Sequence, residues 1–358
     1  MTEMRWYQFK RHFPLVIVVV SLVMAVYSST SQAQTEGAFR GARETIFPDW
    51  FTQSFLNFDE DIAAATSEGK RLLLFFHQAG CPYCNRLVEY NFKIPVIEQL
   101  LRQKFAVVAI NMWGDREVVT VSGKTFTEKN LAAALKVNFT PTLIFFNERK
   151  QQILRLNGYY PVDKFQQALE YVSSKTDDKM SYRDYLARKS LQSSPQAPGY
   201  HDLLREEFFQ RPPLQLNKAV KKRRMSAVYF ESGDCRDCEI LHKSLLQEPI
   251  TRKLASSFFS VQLDMWSDQV LVTPAGNRTT ARKWAGQLGI QFAPTVVFFD
   301  EAGKEIIRMA SAFKSFHTQS IYAYAATRSY LQQPSFQRYI RQRSEQIRKK
   351  GQDVDIWQ

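Results

Sequence analysis

The chain has no cysteine to spare. Its four cysteines form two Cys-x-x-Cys pairs, Cys81-Pro82-Tyr83-Cys84 and Cys235-Arg236-Asp237-Cys238, and none is left for a structural disulfide elsewhere. Such pairs close loops too short to stabilise a fold much, so reactivity rather than stapling is their expected purpose. No histidine follows either pair. Asn85 and Glu239 stand there instead, which excludes covalent haem attachment. Structural zinc sites usually bring two such pairs within about 15–20 residues of each other, and that spacing is missing too. The first cysteines lie 154 positions apart, so a shared metal would need two distant surfaces to face each other. Long apolar runs are equally scarce. Beyond Phe13–Tyr27 no segment could span a bilayer. No recognised nucleic-acid-binding motif is present in the sequence.

At 358 residues, 44% hydrophobic and 23% charged, the chain has room for two globular domains with separate cores. Its N-terminus differs from the rest. Arg5, Lys10, Arg11 and His12 precede the apolar run, and Ser31-Gln32-Ala33 offers small residues for cleavage after Ala33. Residues 1–33 therefore read as a signal peptide, with an uncleaved signal-anchor as the alternative. Export puts the cysteines in an oxidising compartment, the periplasm of a Gram-negative bacterium. The net charge is +13, of which this segment supplies +2. The remainder is concentrated in Lys218, Lys221, Lys222, Arg223 and Arg224, and in Arg338, Arg341, Arg343, Arg348, Lys349 and Lys350. These clusters read as solvated faces or as a contact for an anionic surface.

The two cysteine pairs belong to an internal repeat. Arg71-Leu72-Leu73-Leu74-Phe75-Phe76 leads to the first pair and Met225-Ser226-Ala227-Val228-Tyr229-Phe230 to the second; Pro95 and Pro249 each follow eleven residues after the second cysteine. Asn111-Met112-Trp113 is echoed by Asp264-Met265-Trp266, and Phe139-Thr140-Pro141-Thr142 by Phe292-Ala293-Pro294-Thr295, now at an offset of 153. One single-residue indel reconciles all of these landmarks. Each unit reads as a buried strand, a helix (about 82–102 and 236–257), and a second strand. A hairpin-like excursion, a short helix capped by Thr127 or Thr279/Thr280, the Pro-Thr strand with a partner strand, and a closing helix complete it. This order predicts a mixed sheet flanked by helices.

Each pair sits between an apolar strand and a helix, a context that favours redox chemistry. The first cysteine would open the helix, where unpaired N–H groups and the dipole favour its thiolate. The second, one turn on, would resolve a mixed disulfide. A proline at the start of a buried strand cannot serve the ladder as a donor, and it recurs in both units. Cis bonds before Pro141 and Pro294 would put Thr140, Pro141, Ala293 and Pro294 beside the cysteines and free the preceding backbone to pair with an extended peptide. Tyr83 could stack on that peptide. Arg236 would favour a thiolate in the second pair, whereas Asp234 and Asp237 would disfavour one. His77 and His242 read as packing or surface histidines rather than catalysts, with His77 also able to tune Cys81.

The strand, Cys-x-x-Cys, helix and later Thr-Pro or Ala-Pro before an apolar strand resemble the thioredoxin fold. His77-Gln78-Ala79-Gly80-Cys81-Pro82-Tyr83-Cys84 with the later Gly158-Tyr159 resembles exported SoxW-type thioredoxins, and more distantly disulfide isomerases of the DsbC/DsbG kind. The resemblance implies an α/β protein with thioredoxin-like domains at 45–175 and 205–333. A linker with room for a helix (176–204) would join them, and the basic C-terminal tail (334–358) would be a helix with a loose end. It implies a thiol–disulfide oxidoreductase with Cys81, Cys84, Cys235 and Cys238 as catalytic residues, no metal and no cofactor beyond the two redox-active disulfides. Partners would be substrate proteins with thiols or disulfides and a membrane redox partner that supplies or accepts electrons. A non-catalytic peptide-binding or chaperone module is the alternative. The neutral Pro-Tyr interior marks the first pair as the expected substrate-facing centre.

Overall fold

The computed structural model describes residues 35–41, 43–193, 203–233 and 235–357. The segment 1–33 read as a signal peptide, the Ser/Pro-rich stretch from Ser194 to Gly199 and Asp234 lie outside these described residues.

The first unit runs β1 (Phe39–Arg40), α1 (Phe58–Ser67), β2 (Arg71–His77), α2 (Pro82–Glu89), α3 (Pro95–Lys104), β3 (Phe105–Asn111), β4 (Glu117–Val119), β5 (Thr125–Thr127), α4 (Glu128–Ala134), β6 (Thr142–Phe146), β7 (Gln152–Asn157), α5 (Val162–Ser173) and α6 (Tyr182–Ser193). The second runs β8 (Leu214–Gln215), α7 (Asn217–Lys221), β9 (Ser226–Glu231), α8 (Arg236–Lys243), α9 (Pro249–Ala255), β10 (Phe259–Asp264), β11 (Val270–Val272), β12 (Arg278–Thr280), α10 (Ala281–Gln287), β13 (Thr295–Phe299), β14 (Glu305–Met309), α11 (Ser315–Ala326), α12 (Phe336–Lys349) and β15 (Val354–Asp355).

Each unit builds one four-stranded mixed sheet, ordered β3-β2-β6-β7 and β10-β9-β13-β14. The first pairing is parallel and the other two are antiparallel in both sheets. Even a register shift recurs, between Phe145 and Phe146 and between Phe298 and Phe299. The period-2 alternation of a strand explains the cores. Leu73 and Phe75 of β2 face one apolar cluster, and Leu72, Leu74 and Phe76 face another. Helices cover both faces, so the central strands are apolar throughout.

The long helix expected after each cysteine pair is broken in two. Ile94 and Glu248 are extended, with ψ of 123° and 129°, and the next helix starts at Pro95 or Pro249. Proline disfavours a helical conformation in the residue before it but suits a first helical position. Thr127 and Thr280 cap their helices as expected, each accepting a backbone N–H.

The repeat also extends further than its first landmarks. Tyr171 and Tyr324, at equivalent places in α5 and α11, donate their hydroxyls to the Met180 and Gln333 carbonyls, both at 2.8 Å. Their rings then receive Tyr182 of α6 (5.0 Å) and Phe336 of α12 (5.3 Å). The helix within the stretch read as a linker and the helix of the basic tail are thus the same element in two copies. The expected loose end after α12 is instead tied down. β15 pairs in parallel with β1, and Arg348 bonds the Gly37 carbonyl and pairs with Glu36.

Candidate functional site

Both cysteine pairs begin a helix. Cys81 caps α2 and Cys235 caps α8, each in extended conformation, and each first sulfur accepts the backbone N–H of the second cysteine at 3.1 Å. That N–H is one of the donors a helix start leaves unsatisfied. Pro82 fills the first helical position of α2, where the missing N–H costs nothing. Both pairs are disulfide-bonded, with Cα–Cα separations of 5.3 and 5.2 Å. Among the described residues no group of three or more His, Cys, Asp and Glu side chains is placed to hold a metal ion.

The Thr140–Pro141 and Ala293–Pro294 bonds are cis. The threonine after each proline has a role that was not read from the sequence. Thr142 and Thr295 return their hydroxyls to the Phe139 and Phe292 carbonyls at 2.8 and 2.7 Å, closing the bend just before each strand. A Phe-x-Pro-Thr string in both units was the signal.

The two sites share one interface between the units, arranged with pseudo-two-fold symmetry. Phe139 of the first unit stacks on Phe313 of the second at 5.6 Å, and Phe292 of the second packs on Tyr160 of the first at 4.6 Å. In the repeat, Phe139 corresponds to Phe292 and Tyr160 to Phe313, so one contact is made twice with its partners exchanged. The helices α6 and α12 follow the same rule. Tyr182 reaches Phe292 at 5.6 Å, and Phe336 reaches Phe139 at 5.3 Å. Arg183 lies over Trp266 and bonds the Ile290 and Met265 carbonyls; Arg338 lies over Trp113, and Gln337 bonds the Asn138 carbonyl.

Each pair is covered by the other unit. Over the first, Tyr83 meets Phe313 at 6.0 Å, His317 at 5.0 Å and Trp357 at 5.5 Å, and its hydroxyl accepts the Lys314 N–H. Phe313 touches both Tyr83 and Phe139, which brings the cysteine helix and the cis-proline bend to a single residue of the second unit. Over the second pair, Lys164 of α5 bonds Asp237 at 2.6 Å and the Ala293 carbonyl at 3.4 Å. Lys164 and His317 are equivalent in the repeat, as are Tyr83 and Asp237.

The covering is unequal, and it leaves the second pair rather than the first partly open to solvent. Cys81 is only 1% exposed and Cys84 is fully buried, whereas Cys235 is partly exposed above a buried Cys238. Tyr83, Thr140 and Pro141, expected to meet a peptide, are buried; Tyr83 stacks on the chain's own aromatics. At the second site Ala293 stays partly exposed over a buried Pro294. The first pair does not face solvent because its apolar Pro-Tyr interior is what the second unit packs against. The charged Arg-Asp interior cannot be buried so cheaply.

Burial pushes the Tyr83 hydroxyl up to about 12, so it stays protonated. His77 is drawn down to about 4 by burial, packs edge-on against Phe47 at 4.7 Å, and so brings no positive charge to Cys81 at neutral pH. His242 behaves in the opposite way. Burial pulls it down, but its bonds to Glu231 (2.9 Å) and Glu206 (3.0 Å), with their charges, outweigh burial and raise it.

The chain belongs to a thioredoxin-like family: the model of the thioredoxin-like domain matches it twice, at residues 58–173 and 212–326. No curated protein matches it. Among solved structures it is similar to a thioredoxin-fold protein from Helicobacter pylori (23% identity, 35% of this chain and 81% of that one, TM-score 0.31). A thioredoxin from Thermus thermophilus aligns at 24% identity over 37% of this chain and 87% of its own, with a TM-score of 0.26. The DsbD C-terminal domain of Neisseria meningitidis, in its oxidised form, aligns at 16% over 32% and 92%, with a TM-score of 0.24. At these scores the likenesses add nothing to the family match. Two thioredoxin-like domains, each with a Cys-x-x-Cys pair, support thiol–disulfide oxidoreductase chemistry in general.

Proposed function

We propose that the protein is an exported thiol–disulfide oxidoreductase that reduces or isomerises disulfides in substrate proteins. The observation that carries this reading is the doubled helix start. In both units the first sulfur already accepts a backbone N–H, the arrangement that stabilises a thiolate. In the reduced enzyme that thiolate attacks a substrate disulfide. A new S–S bond forms to the first cysteine, the substrate bond breaks, and the departing substrate sulfur takes up a proton. The second cysteine, deprotonated, then attacks the first, restoring the Cys–Cys disulfide and releasing the other substrate thiol. Two electrons pass to the substrate, and an external dithiol must return them.

Work in the periplasm is supported by the signal-like segment at 1–33 and by cysteines confined to reactive pairs. The SoxW-type resemblance favours the reducing direction, with a membrane redox partner as electron donor. Exposed basic residues such as Lys221, Lys222 and Arg223 suit contact with an anionic surface. The seal over Cys81 favours a second reading for the first unit alone, that of a peptide-binding module whose cysteines cycle little.

The test is site-resolved alkylation across a thiol–disulfide titration, with Cys238→Ser and Cys84→Ser variants used as traps. We expect Cys235–Cys238 to be reduced first, and Cys238→Ser to accumulate mixed disulfides through Cys235. Failure of both pairs to cycle at biological potentials refutes the enzyme.

A further inference from the structure

The second cysteine pair carries a puzzle in its own sequence. Asp237 lies between the two cysteines, where a carboxylate opposes the thiolate that the chemistry needs. On the helix that Cys235 opens, the charged and titratable groups are Arg236, Asp237, Glu239, His242 and Lys243; His242 is buried against Glu206 and Glu231, and Arg236, Glu239 and Lys243 are exposed. Asp237 is not. Its side chain is 16% exposed, and the group facing it comes from the other unit: Lys164 of α5, 28% exposed, with its ammonium 2.6 Å from the carboxylate. A pair so far withdrawn from solvent is screened less than a surface one.

The same ammonium lies 3.4 Å from the Ala293 carbonyl, the residue before the cis-proline. Lys164 thus touches both halves of the second site, the cysteine helix and the bend across from it, while belonging to neither. The equivalent residue His317 lies against Tyr83, where there is no carboxylate to neutralise. At these two equivalent positions the cation faces the cysteine helix that carries a carboxylate, and the imidazole faces the one that carries a tyrosine.

We propose that Lys164 is a positioning residue of the Cys235–Cys238 centre, supplied across the interface by the first unit. It cancels the Asp237 charge and ties the cysteine helix to the Ala293 bend. The second centre is then complete only while the two units are docked. Undocking takes away the cation and leaves Asp237 beside the sulfur that must ionise. This rests on the oxidoreductase reading and adds a dependence of one centre on the other domain.

The experiment is site-resolved alkylation of the fully reduced protein by iodoacetamide, followed from pH 5 to 10 by mass spectrometry of the peptides containing Cys235 and Cys81. In Lys164→Met the alkylation of Cys235 at pH 7 should slow by about three- to tenfold, with its pH profile displaced to higher pH. Lys164→Arg should restore most of the rate, and the double variant Lys164→Met/Asp237→Asn should return it close to the starting protein. Equilibration with dithiothreitol, a dithiol oxidised as the pair is reduced, should show the Lys164→Met pair shifted towards the disulfide. An unchanged profile in Lys164→Met overturns the proposal. A change that Asp237→Asn does not rescue, with Cys81 becoming reactive, also overturns it, because that pattern is general loosening of the interface. Absence of any reversible cycling in the starting protein would refute the oxidoreductase reading itself, a distinct outcome.

Discussion

His317 stands edge-on to Tyr83 with 5.0 Å between ring centroids, a residue of the second unit's closing helix lying on the middle of the first unit's cysteine pair. The imidazole is partly buried, its Nδ1 is shielded from solvent without a hydrogen-bond partner, and burial draws it down to about 4. Protonation of His317 is therefore expected to weaken the seal over Cys81 in acid.

For a histidine lowered in the folded state, the unfolded chain binds the extra proton, so its contribution is full above about pH 6.5 and disappears as pH falls towards 4. His77, also drawn down to about 4, acts in the same direction. His242 opposes them: it is raised, so its contribution is present below 6.5 and is lost as pH rises through its folded value. Replacing His317 by Leu is expected to flatten the loss of stability between pH 6.5 and 4 by on the order of 3 kcal/mol. Urea denaturation at stepped pH measures this, and an unaltered slope would show that His317 does not titrate in that range.

Gly158 sits with φ at +88°, and a Cβ there would lie 2.9 Å from Cε1 of Phe313. A β-branched residue is strained in that backbone region and pushes on the ring that bridges Tyr83 and Phe139. Gly158→Val is expected to cost about 1–3 kcal/mol and to open the first site. After reduction, Cys81 should react faster with a bulky maleimide while Cys235 changes little. Trp357→Ala, which uncovers Tyr83 from the C-terminal side, should act in the same direction more weakly. Equal reactivity of Cys81 in all three proteins would mean the seal lies elsewhere.

Glu231 is buried at the end of β9, where the first unit has His77, and is held by His242 and by Gln262 at 2.8 Å. His242→Leu leaves that carboxylate and Glu206 without the imidazole, and should lower stability by about 3–5 kcal/mol. The double variant His242→Leu/Glu231→Leu removes the uncompensated charge as well and should recover a large part of the loss. Guanidinium melts of the three proteins decide it; no recovery in the double variant would assign the loss to packing alone.

Much of this architecture was legible in the residues. The apolar runs before each pair, the recurring Pro-Thr strand and the Thr caps are local signals, and local sterics and hydrogen bonding decide them. The helix break at Pro95 and Pro249 is legible too, since both prolines recur at one spacing, although the helical pattern on either side runs across it as if through a single helix. The equivalence of α6 and α12 left only a faint trace, Ser181-Tyr182 against Ser335-Phe336, because a helix that bridges two bodies needs few fixed residues.

What the sequence determined by itself is the chemistry: two Cys-x-x-Cys pairs at helix starts, each followed by its proline, with neutral residues inside one pair and charged residues inside the other. What only the tertiary structure decided is how those two copies meet. Tyr83 and His317 are 234 positions apart, and Lys164 and Asp237 are 73; no local preference links such residues. Burial does. An apolar Pro-Tyr interior gains by being covered, so the second unit seals Cys81. A charged Arg-Asp interior can be approached only by a matching charge, so the first unit sends Lys164 and leaves Cys235 within reach of solvent.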